Sequence, residues 1–169
     1  MKRILLLVVC VMALVARAQY YQPDVLGNGF EQHTFVMPDD YHGSVVSTLV
    51  RKMANDSSHC AILYVHGYND YFFQEEMANR FIDWGYNFYA IDLRKYGRSL
   101  LPHQWEYEVR DMSEYYADID SAISVIRSEG NSRIVLMGHS TGGLTTSLYC
   151  HARRDNLPVD ALILNSPFF

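Results

Sequence analysis

Five residues, Gly138-His139-Ser140-Thr141-Gly142, constrain this chain more than any other feature. The apolar run before them, Arg133 to Met137, reads as a buried strand. The segment after them, Gly143 through Arg153, reads as a helix with Leu144 and Leu148 on one face. A strand that turns sharply into a helix holds its central residue at strained backbone angles, and the flanking chains nearly touch. Only very small residues fit two places before and after the serine, so Gly138 and Gly142 form a nucleophile elbow around Ser140. The competing assignment is a serine that merely caps the helix. The strand-turn-helix context favours the nucleophile.

The rest of the chain bounds where such an elbow would work. At 169 residues, 49% hydrophobic and 20% charged, the composition is that of a globular protein with one real core. Residues 1–18 stand apart from it. Lys2 and Arg3 are followed by an apolar stretch from Ile4 to Val15 and by Ala16-Arg17-Ala18, a small-x-small cleavage site. This reads as a secretory signal peptide cut before Gln19, so the protein is expected to be exported, periplasmic or secreted. The stretch is too short to span a bilayer, and no stable membrane span is expected. Val9 argues against lipidation at Cys10. Without Lys2, Arg3 and Arg17 the chain keeps 11 basic against 19 acidic residues, or −8, with no basic stripe to suggest a nucleic-acid partner. No metal-ligating set or cofactor motif is read. Cys60 and Cys150 could pair in an exported protein; two free thiols are the preferred reading.

Along residues 19–169, Tyr20 to Asn28 reads as an irregular lead-in. Glu31 to Met37 and Ser44 to Met53 read as an antiparallel ribbon joined by a turn from Pro38 to Gly43. Ala61 to Val65 is almost wholly apolar, as expected of a strand buried on both faces, and ends at His66-Gly67. Phe73, Met77, Phe81 and Trp84 recur at helical spacing up to Gly85. Tyr86 to Ile91 is the next strand, and Asp92 to Glu108 a loop. Met112, Tyr115, Ile119, Ala122, Ile123 and Ile126 mark a second helix ending near Gly130. Ala161 to Asn165 reads as a last strand. Strands alternating with helices imply a parallel sheet, with ligands at the strands' carboxyl ends, where His66-Gly67, Asp92 and Ser140 fall.

Three motifs now stand in order: His66-Gly67-Tyr68-Asn69-Asp70, Asp92-Leu93-Arg94-Lys95-Tyr96-Gly97-Arg98-Ser99, and Gly138 to Gly143. Over roughly residues 30–169 they resemble the α/β-hydrolase superfamily, in its serine aminopeptidase and lysophospholipase-like branch, which includes monoacylglycerol lipases. The resemblance implies a mostly parallel sheet flanked by helices, truncated after about the sixth strand. It also implies that Ser140 attacks a carbonyl carbon and that the backbone N–H groups of Tyr68 and Thr141 form the oxyanion hole, each donor worth about 3 kcal/mol. Thr141 sits at a helix N-terminus, where unpaired donors and positive potential favour that role. The branch usually has glycine where Lys95 stands, a departure that touches loop conformation. His66 and His139, with Asp70 and Asp92, are assigned by the same resemblance to loop architecture.

A serine hydroxyl needs a histidine to take its proton and an acid to orient that histidine, and in this fold both follow the serine in sequence. The 29 residues after Ser140 hold one histidine, His151, on the same helix and about 16 Å along its axis, too far for a hydrogen bond. The chain is therefore expected to be the N-terminal part of an α/β-hydrolase domain about twice as long. The expected function is an exported serine hydrolase of carboxylic esters, lipid or other acyl esters. Peptidase or aminopeptidase activity on amides, acyl transfer, and a non-catalytic binding role are the alternatives.

Overall fold

The computed structural model describes residues 21–54 and 57–169. The expected signal peptide and its cleavage site lie outside the described residues. Among those residues, no helix is long and apolar enough to cross a membrane.

Seven strands form one sheet: β1 (Gln22–Pro23), β2 (Glu31–Asp40), β3 (Gly43–Lys52), β4 (Cys60–Val65), β5 (Asn87–Asp92), β6 (Arg133–His139) and β7 (Ala161–Asn165). Their spatial order is β1-β2-β3-β5-β4-β6-β7. The first three and the β3–β5 pair run antiparallel, whereas β5, β4, β6 and β7 are mutually parallel. The chain leaves β4 for β5 on one side, then crosses to β6 on the other. That reversal opens the crevice at the strands' carboxyl ends where α/β sheets bind ligands. Val65 of β4 pairs with Gly138 of β6, so the His66-Gly67 loop and Ser140 emerge side by side.

Period-two alternation along β4 builds a core on each face. Ala61, Leu63 and Val65 pack with Ile119, Ile123, Ile126 and Tyr149. Ile62 and Tyr64 pack with Phe30, Phe72, Ala78, Phe88 and Met137 on the other face. Three helices cover the sheet: α1 (Glu75–Asp83), α2 (Tyr116–Ser128) and α3 (Thr141–Ala152). A 3-10 turn from Met112 to Tyr115 leads into α2. There the Asp111 carboxylate accepts from Ser113 N, and Glu114 accepts from Asp111 N, a capping box.

Four details differ from the sequence reading. The lead-in contains the short β1. The β2–β3 connection is only Tyr41-His42, with Pro38 inside β2 at a register irregularity between Met37 and Asp40. β1 covers just the start of β2, so a missing N–H at Pro38 breaks no ladder bond. Phe73 and Trp84 lie outside α1 and are exposed. Finally, α3 turns inward not Leu144 and Leu148 but Gly142, Gly143, Thr145, Thr146 and Tyr149. The helix lies so close to the sheet that a β-carbon on Gly138 would come within 2.4 Å of Gly142 O and Thr146 Oγ1. Close approach selects small side chains, a choice that a hydrophobic pattern does not register. Cys60 and Cys150 are both free thiols, and burial pushes that of Cys150 up.

Candidate active site

β6 delivers the elbow. Ser140 stands at the N-cap of α3 with φ 52 and ψ −120, and its side chain makes no capping hydrogen bond. Positive φ in a non-glycine residue costs on the order of 1–3 kcal/mol and survives only where its surroundings impose it. Here the surroundings are tight. A β-carbon on Gly142 would lie 2.4 Å from both Val65 O and His66 O, and one on Gly67 would lie 3.1 Å from Ser140 Cβ. A strap closes the other side: Ser140 N donates to Asn165 O (3.1 Å), and Phe168 N donates to Ser140 O (2.9 Å). Pro167 in that strap packs where a Gly143 side chain would be. Asn165 and Phe168 were not read from the sequence as site residues. The strap meets Ser140 through backbone bonds across 25 and 28 residues, which no local pattern announces.

The loop after β4 places Gly67 and Tyr68 beside the elbow. Tyr68 is exposed, its ring edge-on to Tyr107 at 5.2 Å. Among the described residues, the Tyr68 and Thr141 amides have no hydrogen-bond acceptor. Asp70 braces this loop by accepting from Tyr71 N (2.8 Å) and Gly67 N (3.4 Å). His66 is buried. Its Nδ1 lies 2.8 Å from Gly67 O, and its Nε2 accepts from Leu93 N at 3.1 Å. A ring that donates through one nitrogen and accepts through the other is the neutral tautomer with Nδ1–H. Burial, against a smaller opposing effect of Asp92, holds its pKa below the ordinary imidazole value.

The loop after β5 completes the surroundings. Asp92, fully buried, accepts from Phe72 N (2.8 Å), Arg98 N (3.0 Å) and the Arg98 guanidinium (2.9 Å). Arg98 in turn pairs with Asp24 at 2.6 Å. Lys95 adopts φ 64, the conformation a glycine would take without strain. Its buried ammonium pairs with Asp40 at 2.6 Å, on the tip of the β2–β3 ribbon. The structure thus brings Ser140, Thr141, Gly67 and Tyr68 together and engages His66 and Asp92 in loop contacts. His139 turns Nδ1 toward Asn165 O (3.2 Å). His151 lies exposed near the far end of α3. Among the described residues, no imidazole is hydrogen-bonded to Ser140 Oγ, and no group of three or more His, Cys, Asp or Glu is arranged to hold a metal.

A family model described as serine aminopeptidase, S33, matches residues 56–169. The chain belongs to this hydrolase family. Solved structures agree on the α/β-hydrolase fold. A probable hydrolytic enzyme from Pseudomonas aeruginosa superposes with TM-score 0.63 at 21% identity, over 81% of this chain and 41% of its own. A thermostable carboxyl esterase from Bacillus coagulans gives 0.61 at 16% identity, over 80% and 44%. An epoxide hydrolase from Vigna radiata gives 0.60 at 19% identity, over 80% and 40%. The chain spans about two fifths of the length of these solved structures, whose names cover more than one bond type.

Proposed function

We propose that this chain carries the nucleophile and oxyanion hole of an exported serine hydrolase that cleaves carboxylic esters. Ser140 Oγ attacks the carbonyl carbon, and the amides of Tyr68 and Thr141 hold the oxygen as it becomes negative. The observation that supports this reading best is Ser140 itself. It occupies a capping position at φ 52 yet makes no capping bond. A cap would accept from an amide of the first turn and needs no positive φ, so capping leaves the strain unexplained. A serine held out of its helix, beside two unengaged amides, has the geometry of acyl attack.

The proton released from Ser140 needs an acceptor. His66 does not serve: its ring is buried, neutral and bonded at both nitrogens. In this reading the base and its orienting acid come from the part of the neighbours' length that this chain does not span. Export through residues 1–18 belongs to the same reading, and a mature protein beginning at Gln19 would support it.

The test is covalent labelling of the complete protein by a fluorophosphonate, which needs both an activated oxygen and an oxyanion hole. We expect labelling at Ser140 that Ser140→Ala abolishes. A folded complete protein that labels nowhere, or labels equally as Ser140→Ala, overturns the reading. The elbow would then serve a non-catalytic binding role.

A further inference from the structure

Beside the elbow lies a cavity of about 200 Å³ whose rim includes Gly67, Tyr68 and Thr141. We infer that it is a subsite for one apolar group of the substrate, no larger than about a phenyl ring or a six-carbon chain. This rests on the reading of Ser140 given above and adds what sits next to the scissile carbonyl.

Size comes first. An apolar cavity of about 150 Å³ takes up benzene, and sites for whole drug-sized ligands begin near 300 Å³. A space of 200 Å³ therefore holds one substituent and not a long acyl chain.

Chemistry comes second. Leu93, Val109, Met112 and Leu144 give aliphatic surface, and Tyr96, Tyr107 and Tyr115 present ring surface. Among the described residues, no Asp, Glu, Lys or Arg lines the cavity. Several of its other polar groups are already engaged. His66 is bonded at both nitrogens, Tyr107 donates to Asn69 at 2.6 Å, Tyr115 lies 3.5 Å from the Tyr96 hydroxyl, and Thr145 donates to Thr141 O. A carboxylate carried past the rim amides of Tyr68 and Thr141 would lose water and meet no cation among the described residues. An apolar ring would meet the ring surfaces of Tyr96 and Tyr107, whose centroids lie 4.8 Å apart.

The group could belong to the acyl or the alcohol half of an ester, so the test varies each in turn on the complete protein. One series is acetyl to dodecanoyl p-nitrophenyl esters; the other is methyl to dodecyl alcohols on one acyl group. We expect kcat/KM in one series to peak at four to six carbons, or at the phenyl member, and to fall for longer chains. Leu144→Trp and, as a second filling variant, Val109→Phe should lower the hexyl-to-methyl (or hexanoyl-to-acetyl) ratio at least about tenfold. Ser140-dependent turnover with flat profiles, unmoved by either variant, overturns the subsite and leaves the nucleophile standing. Binding of benzene, followed by ligand-observed NMR, reads the cavity without catalysis. Uptake that Leu144→Trp removes supports the subsite even if Ser140 never labels. No uptake of benzene by the folded protein, or uptake that Leu144→Trp leaves unchanged, overturns it.

Discussion

A β-carbon at position 142 would sit 2.4 Å from two backbone carbonyl oxygens, those of Val65 and His66, and neither can swing aside as a side chain could. Gly142→Ala is therefore expected to destabilise the fold by about 3 kcal/mol, the upper range for overpacking. Gly130→Ala meets open space and faces only an unfavourable φ of +91, so it should cost about 1 kcal/mol. Urea denaturation of both variants checks the contrast, and equal midpoints would refute it. His66 supplies a second residue-scale prediction. Its folded pKa is depressed below 6.5, so the unfolded chain binds the proton first. This contribution is fully present above about pH 6.5 and is lost as pH falls below it, at up to about 1.4 kcal/mol per pH unit. Between pH 7 and 5, His66→Gln, which keeps an acceptor for Leu93 N, should lose less stability than the parent. Parallel curves would show that His66 is not the group responsible. The tight turn at Gly138, Ser140 and Gly142 was legible in the sequence because its constraint is local. The Asn165 and Phe168 contacts were not, because backbone bonds across 25 and 28 residues leave no mark on residue type.

Among the elements, α2 and the loop after β5 are joined by one buried connection. The Arg94 guanidinium and backbone N–H both donate to Asp118, at 2.7 and 2.9 Å, with both side chains nearly out of contact with solvent. Asp118→Ala would strand the arginine charge and is expected to cost about 3–5 kcal/mol. Because Leu93 and Tyr96, on either side of Arg94 in that loop, line the cavity, the variant should also loosen its tyrosine wall. Equilibrium unfolding gives the first effect, and a loss below about 1 kcal/mol would show that the pair is exchangeable with water. Elements whose burial follows a simple period were legible: β4 as an apolar run, α2 by its isoleucine stripe, β7 to the residue. The inward face of α3 was not, since glycine and threonine are chosen there by backbone proximity. The Phe73–Trp84 spacing misled for the opposite reason: those aromatics flank α1 and project outward, beyond its single buried residue, Ala78.

At the scale of the whole molecule, the order of the sheet decides both where chemistry can occur and where the chain is vulnerable. The reversal around β4 gathers the loops after β4, β5 and β6 at one end, which is why three motifs widely separated in sequence line one cavity beside Ser140. That convergence was legible from motif order. A partner for the Ser140 hydroxyl was not, because among the described residues no imidazole is hydrogen-bonded to it. The opposite consequence lies at β7, which among the described residues pairs with β6 on one side only. All five of its residues are exposed, including Leu162, Ile163 and Leu164, and Phe168 and Phe169 follow them uncovered. A parallel strand flanked on both sides would bury such residues; an open edge of this composition is a template for pairing with another chain. The purified 169-residue chain is therefore expected to self-associate at roughly 100 μM, despite its net negative charge. Sedimentation velocity should show species above the monomer. Ile163→Lys, which sets a charge on the edge without touching the elbow, should shift the distribution back toward monomer. A parent chain that stays monomeric throughout this range would mean that the edge is already protected in solution. A lysine variant that associates as before would place the contact elsewhere, on the exposed Phe168 and Phe169.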